Sequence, residues 1–389
     1  GLSLTLNGSF DKNILFHKKW ETPWYLYTWD GNPDHITTKG KRGLDGPQLS
    51  EDMSDGQRLN GNAYATYENS FSEIHNLKVM AGTERRSAFT DMFNAFRKNY
   101  ISGAIDQLFA GASDQYMSNS GSAYQGAHMS YFGRVNYDLS KKYMAEFVWR
   151  YDGSYKFPQD KRFGFFPGIS VGWRMSDEDF WKNNIGFIND FKLRASWGQT
   201  GNDRIDDYQY LATYGFMEGK TYVYGSSDAK LLNETKIPNP QVTWEVANQA
   251  NIGFDALLLD SKFTLSFDYF NNKRSQILIK RNASVPNSTG LILPPENIGE
   301  VKNAGFEGAI GYQGSAGDFR YDLSVNGSYS KNEIVFWDET PGIPSYQQST
   351  GRPMGSALYY QAIGIFKDKA QIDATPHWAG AQPGDVIFK

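Results

Sequence analysis

In a chain without cysteine, metal or acid–base chemistry would have to draw on its five histidines: His17, His35, His75, His128 and His377. No pair has metal-ligand spacing, and neither HExxH nor GxSxG occurs. GFEGAIG (305–311) has glycines near phosphate-loop spacing. It lies in a strand-like run, however, and lacks the lysine and following helix that would hold phosphate. Glycines in such a run relieve crowding or allow bends. SDEDF (176–180) gathers three carboxylates at a helical turn. They suit calcium, or simply the favourable placing of negative charge at a helix N-terminus, with Ser176 capping the amides near Asp179. No nucleophile–base–orienter set emerges. The chain reads as a non-enzyme with no catalytic, cofactor or metal residue.

The residues best suited to touch a ligand are aromatic. Trp20 and the stretch ETPWYLYTWDGNPD (21–34) put Trp24, Tyr25, Tyr27 and Trp29 beside Asp30, Asn32 and Asp34. Flat rings stack on sugars while polar neighbours bond hydroxyls. The same composition suits a membrane-surface girdle or a protein partner, and the three readings stay open. Trp24, Tyr25, Trp29 and Asp30 are the candidate contacts.

Such residues need elements to hold them, and those elements are strands. In KYMAEFVWRYDGSY (142–155), Tyr143, Ala145, Phe147, Trp149, Tyr151 and Tyr155 alternate with Lys142, Glu146, Arg150, Asp152 and Ser154. The pattern recurs at 129–139, 163–174, 191–197, 242–256, 262–269, 305–312 and 319–329, and more weakly at 1–11, 62–71 and 76–86. About eleven strands result. Short connections, as at 72–76, 139–141, 258–261 and 313–318, mostly alternate with long ones at 12–61, 87–126, 200–241 and 273–302. The short 155–162 and the medium 175–190 break the alternation. In an up-and-down sheet this puts tight turns at one end and large loops at the other.

Composition bounds the rest. Net charge is −4, too near neutral to favour nucleic acid. Aromatics make up 15% of the chain and charged residues 21%. Mean hydropathy is −0.57 and no long apolar run occurs, so no transmembrane helix is expected. The chain opens as a strand, without a signal peptide, as expected of a processed chain or part of a longer one. A transmembrane β-barrel escapes hydropathy windows and has short periplasmic turns and long extracellular loops. A soluble sandwich also alternates, but strand length, aromatic richness and loop asymmetry favour the barrel. Phe147, Trp149, Leu265 and Phe267 then face lipid, and Glu146, Arg150 and Asp268 face the lumen. Tyr143 and Tyr155 suit interfacial girdles. Trp244 and Glu245 form a lipid-facing and lumen-facing pair.

YFGRVNYDLSKKYMAEFVWRYDGSYKFPQDKRFGFFPGISVGWRMSDEDFW (131–181) closely resembles the SusC/RagA family of TonB-dependent outer-membrane transporters. LRASWGQTGND (193–203), IPNPQVTWEVANQANIGFDALLLDSKFTLSFDYFNNK (237–273) and IGEVKNAGFEGAIGY (298–312) match further family motifs in order. The resemblance implies an all-β, up-and-down barrel of the Gram-negative outer membrane. Residues 1–389 would be about half of a 22-stranded wall, with the N-terminal β-sandwich, the TonB-contacting segment and the plug lying elsewhere. It implies import of oligosaccharide or peptide, a SusD-like surface lipoprotein as partner, and energy from TonB–ExbB–ExbD through the N-terminal part. Outer-membrane lipid surrounds the wall. GDVIFK (384–389) resembles the start of a stretch leading into a calcium-loop-like segment, so no cofactor is expected within this chain. A surface glycan-binding or adhesin β-protein without transport is the alternative.

Overall fold

The computed structural model describes residues 1–389 apart from 30, 33–35, 226 and 282–292. Eleven antiparallel strands form one sheet. They are β1 (Leu2–Glu21), β4 (Gln48–Phe71), β5 (His75–Lys98), β6 (Ser118–Leu139), β7 (Tyr143–Ser154), β8 (Phe163–Arg174), β9 (Ile188–Asn202), β12 (Glu245–Leu258), β13 (Phe263–Lys280), β14 (Pro295–Ala316) and β15 (Phe319–Phe336). Each wall strand pairs with the next wall strand in sequence. Hairpins β2–β3 (Trp24–Trp29, Ile36–Arg42) and β10–β11 (Thr213–Tyr224, Ser227–Lys236) rise from two long connections, and β16–β17 (Ala362–Ile365, Val386–Phe388) follows the sheet.

The strands are longer than the periodicity predicts, so the loops are shorter. The long connections are 22–47, 99–117, 203–244 and 281–294. β4 and β5 each have 24 residues, about 80 Å of extended chain. Even tilted by ~45°, that is nearly twice a ~30 Å hydrocarbon layer, so in a membrane their upper halves, toward the long connections, would stand clear of it. Alternation of the two ends is complete: 155–162 lies with the long loops despite its brevity, and 175–187 lies with the short turns.

Those turns close tightly because their residues accept left-handed backbone. Ser72 and Glu73, Ser140 and Lys141, and Leu259 to Ser261 all have φ between 51° and 60°. Twist-matched hairpins demand this of their central residues.

Two expectations fail, one within 175–190 and one at 242–256. Helix α1 (Asp179–Asn184) is preceded by Glu178, whose side chain caps nothing. Ser176 instead donates to Asp190 at 2.8 Å. The strand read across 242–256 starts only at Glu245, because Val242 and Trp244 turn into a buried cluster. The segment after β15 carries a fold not foreseen, with helix α2 (Lys369–Ala374) capped by Asp368 and packed through Ile372 on Phe366 and Ile387.

Candidate functional site

One face of the sheet is polar, and its side chains bond to one another across strands. Arg194 on β9 pairs with Gly253 on β12, which pairs with Asp268 on β13. Gly253 leaves the row open: a Cβ there would lie 2.4 Å from the Asp268 carboxylate. The Arg194 guanidinium passes over it and meets both oxygens of Asp268 at 2.9 and 3.0 Å, and both of Asp255 at 2.8 and 3.0 Å. A planar fork suits two carboxylates better than a point charge could. On the same face Glu146 accepts from Asn136 at 2.6 Å, and Arg150 forks onto Asp152 above the Phe132 ring. The register thus sets Glu146, Arg150 and Asp268 among hydrogen-bonding neighbours. A concave trough of about 560 Å³ runs past Lys78, Asn136, Glu146, Ser170 and Arg194.

The opposite face carries rings. Phe147 is 42% exposed and Phe267 38%. Trp149 covers Gly133, where a Cβ would meet the indole at 2.4 Å, and stacks on Phe165. Leu265 sits in register between Ala256 and Ile310. A ring-to-ring path crosses the sheet from Trp181 through Phe191, Phe254, Phe267 and Phe306 to Tyr329, with centroids 5.0 to 6.3 Å apart. Each such contact contributes about 0.5–1.5 kcal/mol beyond burial. At the short-turn end Tyr143 stacks on Trp173, and both donate to Glu178. Those two hydrogen bonds, with Lys142 nearby, hold the Glu178 carboxyl below the usual carboxylate range.

At the long-loop end, motifs far apart in sequence meet. β8 and β9 pair only from Arg174–Lys192 up to Gly168–Gly198. Phe166 lies beyond the last pair, over Gly201, where a Cβ would be 2.0 Å from its ring. It packs with Phe157, Val242 and Trp244 in a buried cluster, and Trp244 donates to the Arg162 carbonyl. Trp244 is 7% exposed, which overturns its reading as a lipid-facing ring. Beside the cluster, Asp203 accepts from Ser154 at 2.7 Å and contacts His128 Nε2 at 2.7 Å. The bond to His128, then that from Ser154, lowers its pKa to about 2 against the opposing push of burial. Tyr155, read as a girdle residue, donates to Asp207 at 2.6 Å; burial and then that bond raise its pKa. Ser154, His128 and Asp203 are no hydrolytic triad. Serine and histidine address the same carboxylate oxygen, whereas a triad needs the serine on one imidazole nitrogen and the acid on the other. Among the described residues no group of three or more His, Cys, Asp or Glu could hold a metal ion.

Of the candidate contact residues, Trp24, Tyr25 and Trp29 lie on β2 of the first hairpin. Trp24 and Trp29 are 54% and 68% exposed, Tyr25 is also exposed, and Asp30 lies outside the described residues. Sequence reasoning missed Arg194, Gly253, Asp203 and His128 as site residues. Three of these, Arg194, Asp203 and Gly253, stand inside quoted motifs, yet nothing in the linear string says which residue each would meet.

The model of the TonB dependent receptor-like β-barrel family matches residues 1–381. The chain belongs to that family. Its sheet is therefore a run of outer-membrane barrel wall of the SusC/RagA-like kind. TonB-dependent receptor P3 of Formosa agariphila is 29% identical over 339 residues, 84% of this chain and 33% of the relative. SusC of Bacteroides thetaiotaomicron, a TonB-dependent receptor, is 35% identical over 217 residues, 53% of this chain and 21% of that protein. The chain spans about a third or less of the length of these curated relatives. In fold it superposes on a structure of the RagAB peptide transporter with a TM-score of 0.79 at 22% identity, covering 94% of this chain and 39% of that one. The outer membrane transporter YddB of Escherichia coli gives 0.51 at 10% identity, covering 85% and 40%.

Proposed function

We propose that the complete protein is a TonB-dependent nutrient importer of the outer membrane and that residues 1–389 are about half of its 22-stranded wall. The observation that carries this is the family match over residues 1–381, on a sheet with one polar and one ring-covered face. A sheet ending at β1 and β15 has two edges whose open backbone groups cost several kcal/mol each in hydrocarbon. Further strands of the same protein would close them. Phe147, Trp149, Leu265 and Phe267 face lipid in this reading, while Glu146, Arg150 and Asp268 face the lumen. Loops 22–47, 99–117, 203–244 and 281–294 are extracellular and the short turns periplasmic. The cargo is an oligosaccharide or peptide, as the family resemblance implies; the likeness in fold to the RagAB peptide transporter supports the peptide. A SusD-like lipoprotein covers the long-loop end, with Trp24, Tyr25, Trp29 and Asp30 as contacts for lid or ligand.

Growth of the native host on the nutrient should require both the intact gene and TonB. Cells that bind the nutrient equally well without TonB, and never import it, would identify a surface-binding protein instead.

A further inference from the structure

Four of the connections at the short-turn end are bare turns, at 72–74, 140–142, 259–262 and 317–318; the fifth, 175–187, carries a helix. That segment leans over the ring-covered face. Trp181 stacks on Phe191 at 5.0 Å and 20°, and Phe191 on Phe254. Glu178 takes hydrogen bonds from Tyr143 and Trp173, whose rings belong to the same face. Trp181 is thereby buried, while the adjacent Phe180 is 50% exposed and Phe187 59%. Lys182, Asn183 and Asn184 supply an exposed polar side.

Two open phenylalanines beside a lysine and two asparagines are costly in water and at home where acyl chains meet headgroups. Their place agrees, because α1 sits where the wall strands end and its inner surface already rests on the outer rings. A lumenal occupant would approach from the opposite face.

We infer that residues 175–187 form a membrane-interface anchor, with α1 in the headgroup boundary of the leaflet on the short-turn side and Phe180 and Phe187 among lipid chains. The anchor rests on the ring-covered face being the lipid face. It extends the lipid contact beyond the strands and fixes the height of the wall in the bilayer.

The test uses the full-length protein in phospholipid bilayers, with nitroxide labels on Phe180→Cys and Phe187→Cys. Phe147→Cys serves as the mid-face reference and Asp260→Cys as the short-turn reference. Collision with oxygen reports lipid, and collision with a water-soluble nickel chelate reports solvent. Labels at 180 and 187 should show an oxygen-to-nickel ratio severalfold above that at 260 and below that at 147. Nickel access equal to that at 260 would overturn the anchor, as would access to neither reagent, which signals cover by protein. A label at 147 that itself lies in water would refute the underlying face assignment, a result distinct from failure of the anchor alone.

Discussion

Asp203 offers a quantitative test of how the long-loop end is held. Its pKa stands at about 2 against an ordinary 3.8, with hydrogen bonds from His128 and Ser154 as the leading causes of the drop. At about 1.36 kcal/mol per pKa unit, this is worth about 2 kcal/mol to the closed form. The pKa is depressed on closing. The contribution is therefore complete above about pH 4 and is lost as pH falls toward about 2. Asp203→Asn should forfeit most of it wherever the wild-type carboxylate is ionised, above about pH 4. Hydrogen exchange of residues 154–157 and 203–211, corrected for intrinsic rate, reads this local equilibrium. In the full-length protein at pH 6, the variant should exchange there roughly 30-fold faster, which is about 2 kcal/mol expressed as a ratio. The wild type should approach the variant between pH 4 and pH 2, and the variant should show no such transition. Equal protection of the two proteins at pH 6, or an acid transition surviving in Asp203→Asn, would refute the role given to the carboxylate.

Four further outcomes are expected. Phe147→Arg should destabilise the assembled barrel by roughly 2–4 kcal/mol if the side chain meets lipid near the midplane, read as lost heat-modifiable migration on gels; unchanged assembly would argue for a wet environment. Gly253→Ala should cost about 1–3 kcal/mol by overpacking the Arg194–Asp268 row, while Gly327→Ala, where a Cβ meets nothing within 4 Å, serves as the mild control. Cysteine at Asn32 should react with an impermeant reagent on whole cells and cysteine at Ser140 only after the outer membrane is opened; labelling of the latter on intact cells would invert the topology. Replacing Trp24 and Trp29 by alanine should leave the wall folded and weaken lid co-purification or uptake, because both side chains are exposed on a loop hairpin outside the wall.

By itself the sequence determined the eleven wall strands and the ends at which they connect. Both signals are local: alternation has a period of two residues, and loop length is read directly from its gaps. It underestimated strand length in β4 and β5, since the upper halves of these strands lose the alternation of large apolar and polar residues while keeping the backbone ladder. It misplaced Trp244, because an aromatic residue at the right parity looks the same whether it ends on a strand or packs in a loop. Only the tertiary structure decided which residues meet. Arg194 reaches Asp268 because two independent registers set Gly253 between them. Ser154, His128 and Asp203 converge because β8 and β9 part above Gly168–Gly198, leaving a gap that the cluster of Phe157, Phe166, Val242 and Trp244 fills. Such contacts depend on the relative sliding and splaying of whole strands, which no stretch of a few residues encodes.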